Sequence, residues 1–365
     1  MQWNWQLATW PNFTYNPDSI TELERTFLLR AGSSYALLCT TGENDRTQFV
    51  IEMLTREGLE SSKIEGELLD RESLVSSLKK HFGLHDDIKN QFNKEAGMAE
   101  LLCNVYDTYD APLSHEMLWQ WHGMLFKKNW SILEECGQYR TDKEPMQIVS
   151  GHGDGRVYFE APPSKNVYKE MTRFIEWYNA SRTSETLLGR AALAHVYFES
   201  IHPFEDGNGR IGRVLVEKVL SQGAQQPLLI AVSKCIEKRK KAYYLELERC
   251  NRTVEVQHWV EFFANIILHA QQDSMRLLNF LMQKSKMLTA LSGKINQRQE
   301  KVLLRMFAEG PDGFQGGLSA EKYISITKAP RATATRDLVD LVSMGALLKT
   351  GELRYTRYWL NLAYV

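Results

Sequence analysis

No stretch of this 365-residue chain is apolar for long enough to cross a bilayer as a helix, so helical membrane insertion is excluded as its mode of action. Met1 to Tyr15 carries neither a basic leader nor an apolar run, so no secretory signal is expected there and a cytoplasmic location is. Cysteine is scarce. The five thiols (Cys39, Cys103, Cys136, Cys235 and Cys250) are scattered, odd in number and never spaced C-x-x-C. That excludes a disulfide framework and a cysteine zinc site, and leaves reduced, buried thiols as the expectation. An excess of one charge is missing too. A net charge of −1 argues against bulk electrostatic binding to nucleic acid or anionic membrane. Long-period repeats and low-complexity tracts are absent. What remains is an ordinary globular composition, 43% hydrophobic and 24% charged, with length for two or three domains.

The composition changes along the chain. Residues 1–45 form an aromatic-rich arm with Trp3, Trp5, Trp10, Phe13 and Tyr15. It is too short for its own core, so its rings are expected to dock on the main body. Residues 46–290 read as mostly helical, divided at about 90 into an N-terminal helical region and a larger domain. Apolar residues recur at helical spacing in Met98, Leu101, Leu102 and Val105, and in Phe262, Ile266 and Ile267. Ser114 is placed to cap a helix after Pro112. Two β-rich runs, Met146 to Ser150 and Val157 to Glu160, flank Gly151-His152-Gly153-Asp154-Gly155 and predict a hairpin. Residues 294–365 read as a third unit. Helices are expected over Val302 to Phe307, after Ser319, and from about Thr333 to Met344. A hairpin is expected over Leu347 to Leu360. That is the outline of a winged helix. Its 11 Lys/Arg against 7 Asp/Glu, a net +4, are compatible with DNA contact.

The segment Ile201-His202-Pro203-Phe204-Glu205-Asp206-Gly207-Asn208-Gly209-Arg210-Ile211-Gly212-Arg213 concentrates chemistry. Apolar helical patterns over Leu187 to Phe198 and Ile211 to Leu220 bracket it, so it reads as a loop between helices. Gly207 and Gly209 permit positive φ and close backbone approach to a ligand. Backbone N–H groups at the start of a helix bind anions. Arg210 and Arg213, three apart, share a helix face and suit a polyphosphate. Asp206 offers a hard oxygen for phosphate-borne Mg²⁺. His202 is a general-base candidate near neutral pH. Phe204 reads as core packing that anchors the loop. Singly, these residues suit a structural histidine, a turn and a solvated basic face; together they point to a phosphate site.

The segment resembles the signature of the Fic family, His-x-Phe-x-Asp/Glu-Gly-Asn-Gly-Arg-x-x-Arg, at every position. The resemblance implies a mainly α, Fic-type helical bundle with a β-hairpin flap, and AMP transfer from ATP to a Ser, Thr or Tyr hydroxyl. In that reading His202 deprotonates the target hydroxyl and Asp206 holds Mg²⁺ on the α- and β-phosphates. The Gly207-Asn208-Gly209 backbone cradles those phosphates with Arg210, and Arg213 holds the γ-phosphate. Tyr244 and Asn251 match positions lining the adenine pocket. The basic run Lys238 to Lys241 reads as a solvated face. The flap, residues 146–160, would hold a target segment, or a segment of the chain itself, by strand addition.

Upstream, Ser61-Ser62-Lys63-Ile64-Glu65-Gly66 resembles the Fic inhibitory motif, with Ser61, Glu65 and Gly66 matching. Gly66 would end a helix in the left-handed conformation, with Glu65 in the last turn, where the dipole disfavours a carboxylate and calls for a cation. The resemblance implies Arg213 as that cation, released through oligomer contacts such as a homodimer, or through the flanking domains. Glycine at 207 and 209 favours AMP transfer over phosphate or phosphocholine transfer. UMP transfer and removal of AMP stay open. A DNA-binding regulator, acting through Arg331, Arg336 and Lys349, is the alternative of another class; Asp337 and Asp340 on the same helix count against it.

Overall fold

The computed structural model describes residues 2–84, 94–126, 136–149 and 157–363. The Gly151 to Gly155 turn lies outside the described residues. The helices are α1 (Thr21–Cys39), α2 (Glu43–Ile64), α3 (Arg71–His81), α4 (Lys94–Asp107) and α5 (His115–Phe126). Strands β1 (Gln147–Val149) and β2 (Val157–Glu160) follow. Next come α6 (Ser164–Ala180), α7 (Leu187–Ile201), α8 (Asn208–Ala224), α9 (Val232–Lys238), α10 (Lys240–Cys250) and α11 (Gln257–Leu291). The chain ends with α12 (Gln297–Phe307), α13 (Ala320–Thr327), α14 (Arg331–Ser343), β3 (Leu347–Thr350) and β4 (Arg357–Leu360). Two compact units result: Met1–Cys39 with Val50–Gln272, and Thr40–Phe49 with Asp273–Val365.

In the first unit α7 buries every residue except Leu187 and Glu199. A helix apolar on all sides belongs at the centre of a bundle. Fully burying side chains such as Leu188, Phe198 and Ile201 is worth about 1.5–3 kcal/mol each. The N-terminus of α7 is capped by Thr186, whose hydroxyl accepts from the Gly189 N–H. Glu24 of α1 accepts from the N–H groups of Leu187 and Leu188. Ser114 caps α5 as its sequence predicts, accepting from Met117 N–H at 3.2 Å. The aromatic arm docks on this unit: Trp10 meets Tyr197 edge-on at 5.3 Å, and Trp3 meets Phe159 at 5.5 Å.

Strands β1 and β2 form the expected antiparallel hairpin, with Gln147 opposite Glu160, Ile148 opposite Phe159 and a bulge after that pair. Three of the five cysteines are buried, but Cys39 is exposed and Cys136 half-buried, against the expectation of uniformly buried thiols.

In the second unit α12, α13 and α14 pack Val302, Leu303, Met306, Tyr323, Leu338 and Leu341 into one core, with Leu347 and Tyr358 from the antiparallel β3–β4 pair. Helix α14 starts at Arg331 rather than Thr333, because Pro330 stands at its N-cap with φ −59°. Arg331, Arg336 and Lys349 are exposed, as is Asp340. Asp337 is buried and receives Arg298 Nε at 2.9 Å, Tyr323 Oη at 2.9 Å and Asn296 Nδ2 at 3.1 Å. Burial pushes its carboxyl up, yet these donors outweigh burial and hold it below the usual range. Asp337 therefore ties α12, α13 and α14 together and adds no charge to the exposed face of α14.

Candidate functional site

Helix α7 ends where His202 takes the left-handed conformation, φ 51° and ψ 62°. A non-glycine residue there is strained and needs outside support. Arg140 supplies it. This buried side chain donates from Nε to the His202 carbonyl at 2.8 Å and from Nη2 to Pro162 and Ile201 carbonyls. On the other side Asn208 folds back, its side chain accepting from Phe204 N–H at 2.9 Å and donating to Phe204 O at 2.8 Å. His122 stacks on Phe204 at 4.3 Å. Its Nδ1 accepts from Gly137 N–H, so Nε2 carries the proton and donates to the Asp206 carbonyl at 3.2 Å. Arg140→Met leaves these carbonyls buried without a donor, and the expected loss is about 3 kcal/mol of stability. Urea unfolding measures it, and Arg140→Lys restores little because lysine lacks the guanidinium fork.

Gly207 has φ 82° and stands at the N-cap of α8. Gly209 departs from expectation: it lies inside the first turn of α8 and needs no positive φ. Its missing Cβ serves another purpose, since a methyl group there would collide with the Glu65 carboxylate.

Glu65 reaches this point because of how α2 ends. Gly66 has φ 83°, Gly66 N–H donates to Lys63 O, and Glu67 N–H donates to Ser62 O. Those two bonds make a Schellman cap and place Glu65 just past Ile64, the last residue of α2. Its Oε1 accepts from Arg213 Nη1 at 2.7 Å. Arg213 Nε also donates to Ser61 Oγ at 2.9 Å, and Nη2 to Ser61 O at 2.8 Å. Burial disfavours charge on Arg213, but Glu65 close by overrides it and holds the guanidinium above its ordinary range. The carboxylate thus sits beside Gly209 in the first turn of α8, where dipole and arginine both favour an anion.

Arg210 faces the same loop. Its Nη1 binds Glu67 Oε2 at 2.6 Å, its Nη2 lies 3.4 Å from Asp206 Oδ2, and its guanidinium lies over the Phe126 ring. The Asp206 side chain is 58% exposed. One accessible carboxylate suits a Mg²⁺ that arrives on a nucleotide and keeps its other donors from phosphate and water. No cluster of three or more His, Cys, Asp or Glu residues that could hold a metal by itself occurs among the described residues.

A cavity of about 1000 Å³ opens beside these groups, lined by Glu65, His202, Gly209, Tyr244, Asn251 and the flap residue Val149, among others. Lys240 and Lys241 line it as well, and Lys240 Nζ donates to the Ile64 carbonyl at the end of α2. The basic run is therefore not simply solvated. Tyr244 lies 3.4 Å from the same carbonyl. Asp206, Arg210 and Arg213 are not among the lining residues.

Burial pushes His202 down to about 4, with Arg140 adding to the effect, so the imidazole is neutral at pH 7. Its Nδ1 lies 3.7 Å from Glu199 Oε2, beyond hydrogen-bond range. Burial pushes Glu199 up to about 8, helped by Glu65. A carboxyl raised on folding stabilises the fold while protonated, and that stability is lost as pH rises through the folded value. Above pH 7.5 an ordinary histidine is already neutral in the unfolded chain, so the Glu199 contribution is isolated. Stability is expected to fall as pH rises through 8, by roughly 1 kcal/mol or less between pH 7.5 and 8.5. Thermal melts across this window test it, and Glu199→Gln flattens the slope.

Sequence reasoning located His202, Asp206, Gly207, Asn208, Gly209, Arg210 and Arg213, and the fold gathers them at one end of α7 and α8. Ser61, Glu65 and Gly66 come to the same place. The reading missed Glu67, Glu199, Arg140 and His122. Glu199 stands three residues before His202, a helical spacing that could have flagged it. Arg140 and His122 carry no local signal.

The helical bundle sets the histidine loop after α7 against the arginine-bearing N-terminus of α8. Residues 112–220 match the Fic/DOC family, and residues 3–84 match a domain of unknown function (DUF4172). Residues 112–220 of this chain are thus a Fic/DOC domain. The chain is 35% identical over 97 residues to the protein adenylyltransferase Fic of Drosophila melanogaster, covering 26% of this chain and 18% of that protein. With the same enzyme of Drosophila yakuba it shares 35% over 134 residues, 36% of this chain and 23% of that protein. The alignments thus span less than a quarter of these relatives. The fold is also that of a Fic family protein from Desulfovibrio desulfuricans G20, at TM-score 0.56, 22% identity, 96% of this chain and 98% of that one. A Fic domain containing signaling protein from Bacteroides thetaiotaomicron VPI-5482 aligns at TM-score 0.53 and 20% identity, over 72% and 96% of the two chains.

Proposed function

We propose that this chain is a protein adenylyltransferase that moves AMP from ATP to a hydroxyl of a target protein or of itself, and that Glu65 inhibits it. The observation that carries this reading is the Glu65–Arg213 ion pair at the edge of a nucleotide-sized cavity that also holds His202. In the reaction His202 Nε2 takes the proton of the target hydroxyl, and the oxygen attacks the α-phosphorus. The bond from that phosphorus to the bridging oxygen of pyrophosphate breaks, and pyrophosphate leaves with the electron pair. The first-turn N–H groups of α8 stabilise the equatorial charge that develops. Arg213, once freed of Glu65, holds the γ-phosphate, and Tyr244 and Asn251 contact the base. Bound Mg²⁺, held by Asp206, would neutralise phosphate charge.

The test uses Glu65→Gly and ATP labelled at either the α- or the γ-phosphate. AMP transfer leaves α-label on protein and γ-label in free pyrophosphate. Protein-bound γ-label overturns the reading in favour of phosphate transfer. Removal of AMP is the second reading, because Glu65 stays beside the cavity where a modified side chain would enter. A self-modified Glu65→Gly sample mixed with wild type distinguishes it: loss of the α-label on mixing supports removal.

A further inference from the structure

The arm at the N-terminus does more than fill a groove. Ala161 N–H donates to the Met146 carbonyl, which makes Gln147–Glu160 a non-hydrogen-bonded pair of the flap. The Glu160 carbonyl therefore points away from β1, and at the bulge the Tyr158 carbonyl is reached by a side chain from outside the hairpin. Both are occupied. Trp5 Nε1–H donates to Glu160 O at 2.7 Å, and Asn251 Nδ2–H donates to Tyr158 O at 3.1 Å. Asn251 is in turn held by the arm, since its carbonyl accepts from Asn4 N–H at 2.8 Å. The Asn4 side chain is buried and donates to Cys250 O at 3.0 Å and Ser200 Oγ at 2.9 Å. Trp3 meets the Phe159 ring of β2 edge-on, and the Arg252 guanidinium lies over the Trp3 ring.

We infer that Trp3, Asn4 and Trp5 are positioning residues that strap β2 of the flap to the base-binding side of the cavity, leaving β1 as the edge to which a target strand adds. The inference rests on the reading of this site as an AMP transferase with a target-holding flap. It assigns a task to the first residues of a region whose family carries no known function. The geometry has one economy: Asn251 faces the cavity and also holds the flap carbonyl, so base contact and flap position share one side chain. Strand β1, exposed at all three residues, is the edge presented to solvent. Strand addition there sets the target hydroxyl by backbone pairing, so a flap that swings by 1 Å misaligns it.

The experiment uses the full chain with Trp5→Phe, which deletes one N–H donor and keeps the ring packing, and Trp3→Ala as a harsher partner. Hydrogen exchange of the amides of Tyr158 to Ala161 is expected to quicken about tenfold in both variants, with thermal midpoint and ATP affinity unchanged in Trp5→Phe and ATP affinity unchanged in Trp3→Ala. In the Glu65→Gly background the same variants lower kcat for self-modification and leave KM for ATP unaltered. Unchanged flap exchange in both variants overturns the strap, whatever the activity. Loss of ATP affinity equal to the loss of kcat also overturns it, since the arm would then shape the cavity instead. If Glu65→Gly itself transfers nothing, the transferase reading fails while the exchange result still decides the strap.

Discussion

Glu65→Gly raises the rate of AMP transfer over wild type by on the order of 10²-fold, the penalty expected for phosphates held about 1 Å out of line. Three observations set that expectation. The Glu65 carboxylate accepts from Arg213 Nη1 at 2.7 Å, the group to which the proposed reading assigns the terminal phosphate. It stands at Gly209, in the first turn of α8, so it takes the anion site of the helix as well as the arginine. Its own placement is rigid, because the Schellman bonds at Gly66 and Glu67 and the Lys240 bond to Ile64 O leave the end of α2 little freedom. The variant keeps the arginine anchored through Ser61, so the guanidinium remains in place to receive a phosphate. Initial rates of adduct formation by intact mass, at saturating ATP and Mg²⁺, measure the ratio. Equal rates for the two proteins would sink the brake. Glu67→Gln is a useful companion: it frees Arg210 without freeing Arg213, and its gain is expected to be much smaller.

His202→Ala in the Glu65→Gly background lowers transfer by about 10²- to 10⁴-fold, the usual worth of a general base. Burial keeps the imidazole neutral down to about pH 4, so the base is unprotonated throughout the physiological range. The rate carried by His202 should therefore be flat from pH 7 to 5 and fall only as pH approaches 4. ATP affinity should change little, since His202 is assigned to the hydroxyl and not to the nucleotide. Isothermal titration with ATP separates the two effects. A variant that loses affinity and rate in equal measure would make His202 a binding residue, and the proton would need another acceptor. The backbone of residue 202 is held left-handed by Arg140, so alanine at this position retains the strain and the loop geometry stays comparable.

The fold was legible wherever pattern is local. Leu187 to Phe198 and Ile211 to Leu220 announce α7 and α8 by their apolar spacing, and β-branched and aromatic runs announce β1 and β2. Boundaries were less legible. The apolar pattern marks α8 from Ile211, yet the helix begins at Asn208, because the Asn208 side chain closes on Phe204 and pulls the preceding residues into the first turn. The opposite case is Asp337. Read along the chain it is one more charge on α14; in the core of its unit it is the acceptor that joins three helices.

What the sequence determined by itself is the chemistry of the site and its order along the chain: a histidine, a carboxylate, two glycines and two arginines within one loop–helix junction. Those residues are close in space because they are close in sequence, and helical periodicity is enough to orient them. What only the tertiary structure decided is which distant groups complete the site. Glu65 lies 148 positions from Arg213, Glu67 143 from Arg210, and Trp5 155 from Glu160. Pairings of that separation depend on how helices pack, and packing is set by shape and burial over whole faces. The same cause hid the role of Lys240. Its charge is plain in the sequence, but whether a lysine is solvated or holds the end of another helix depends on what the fold brings beside it.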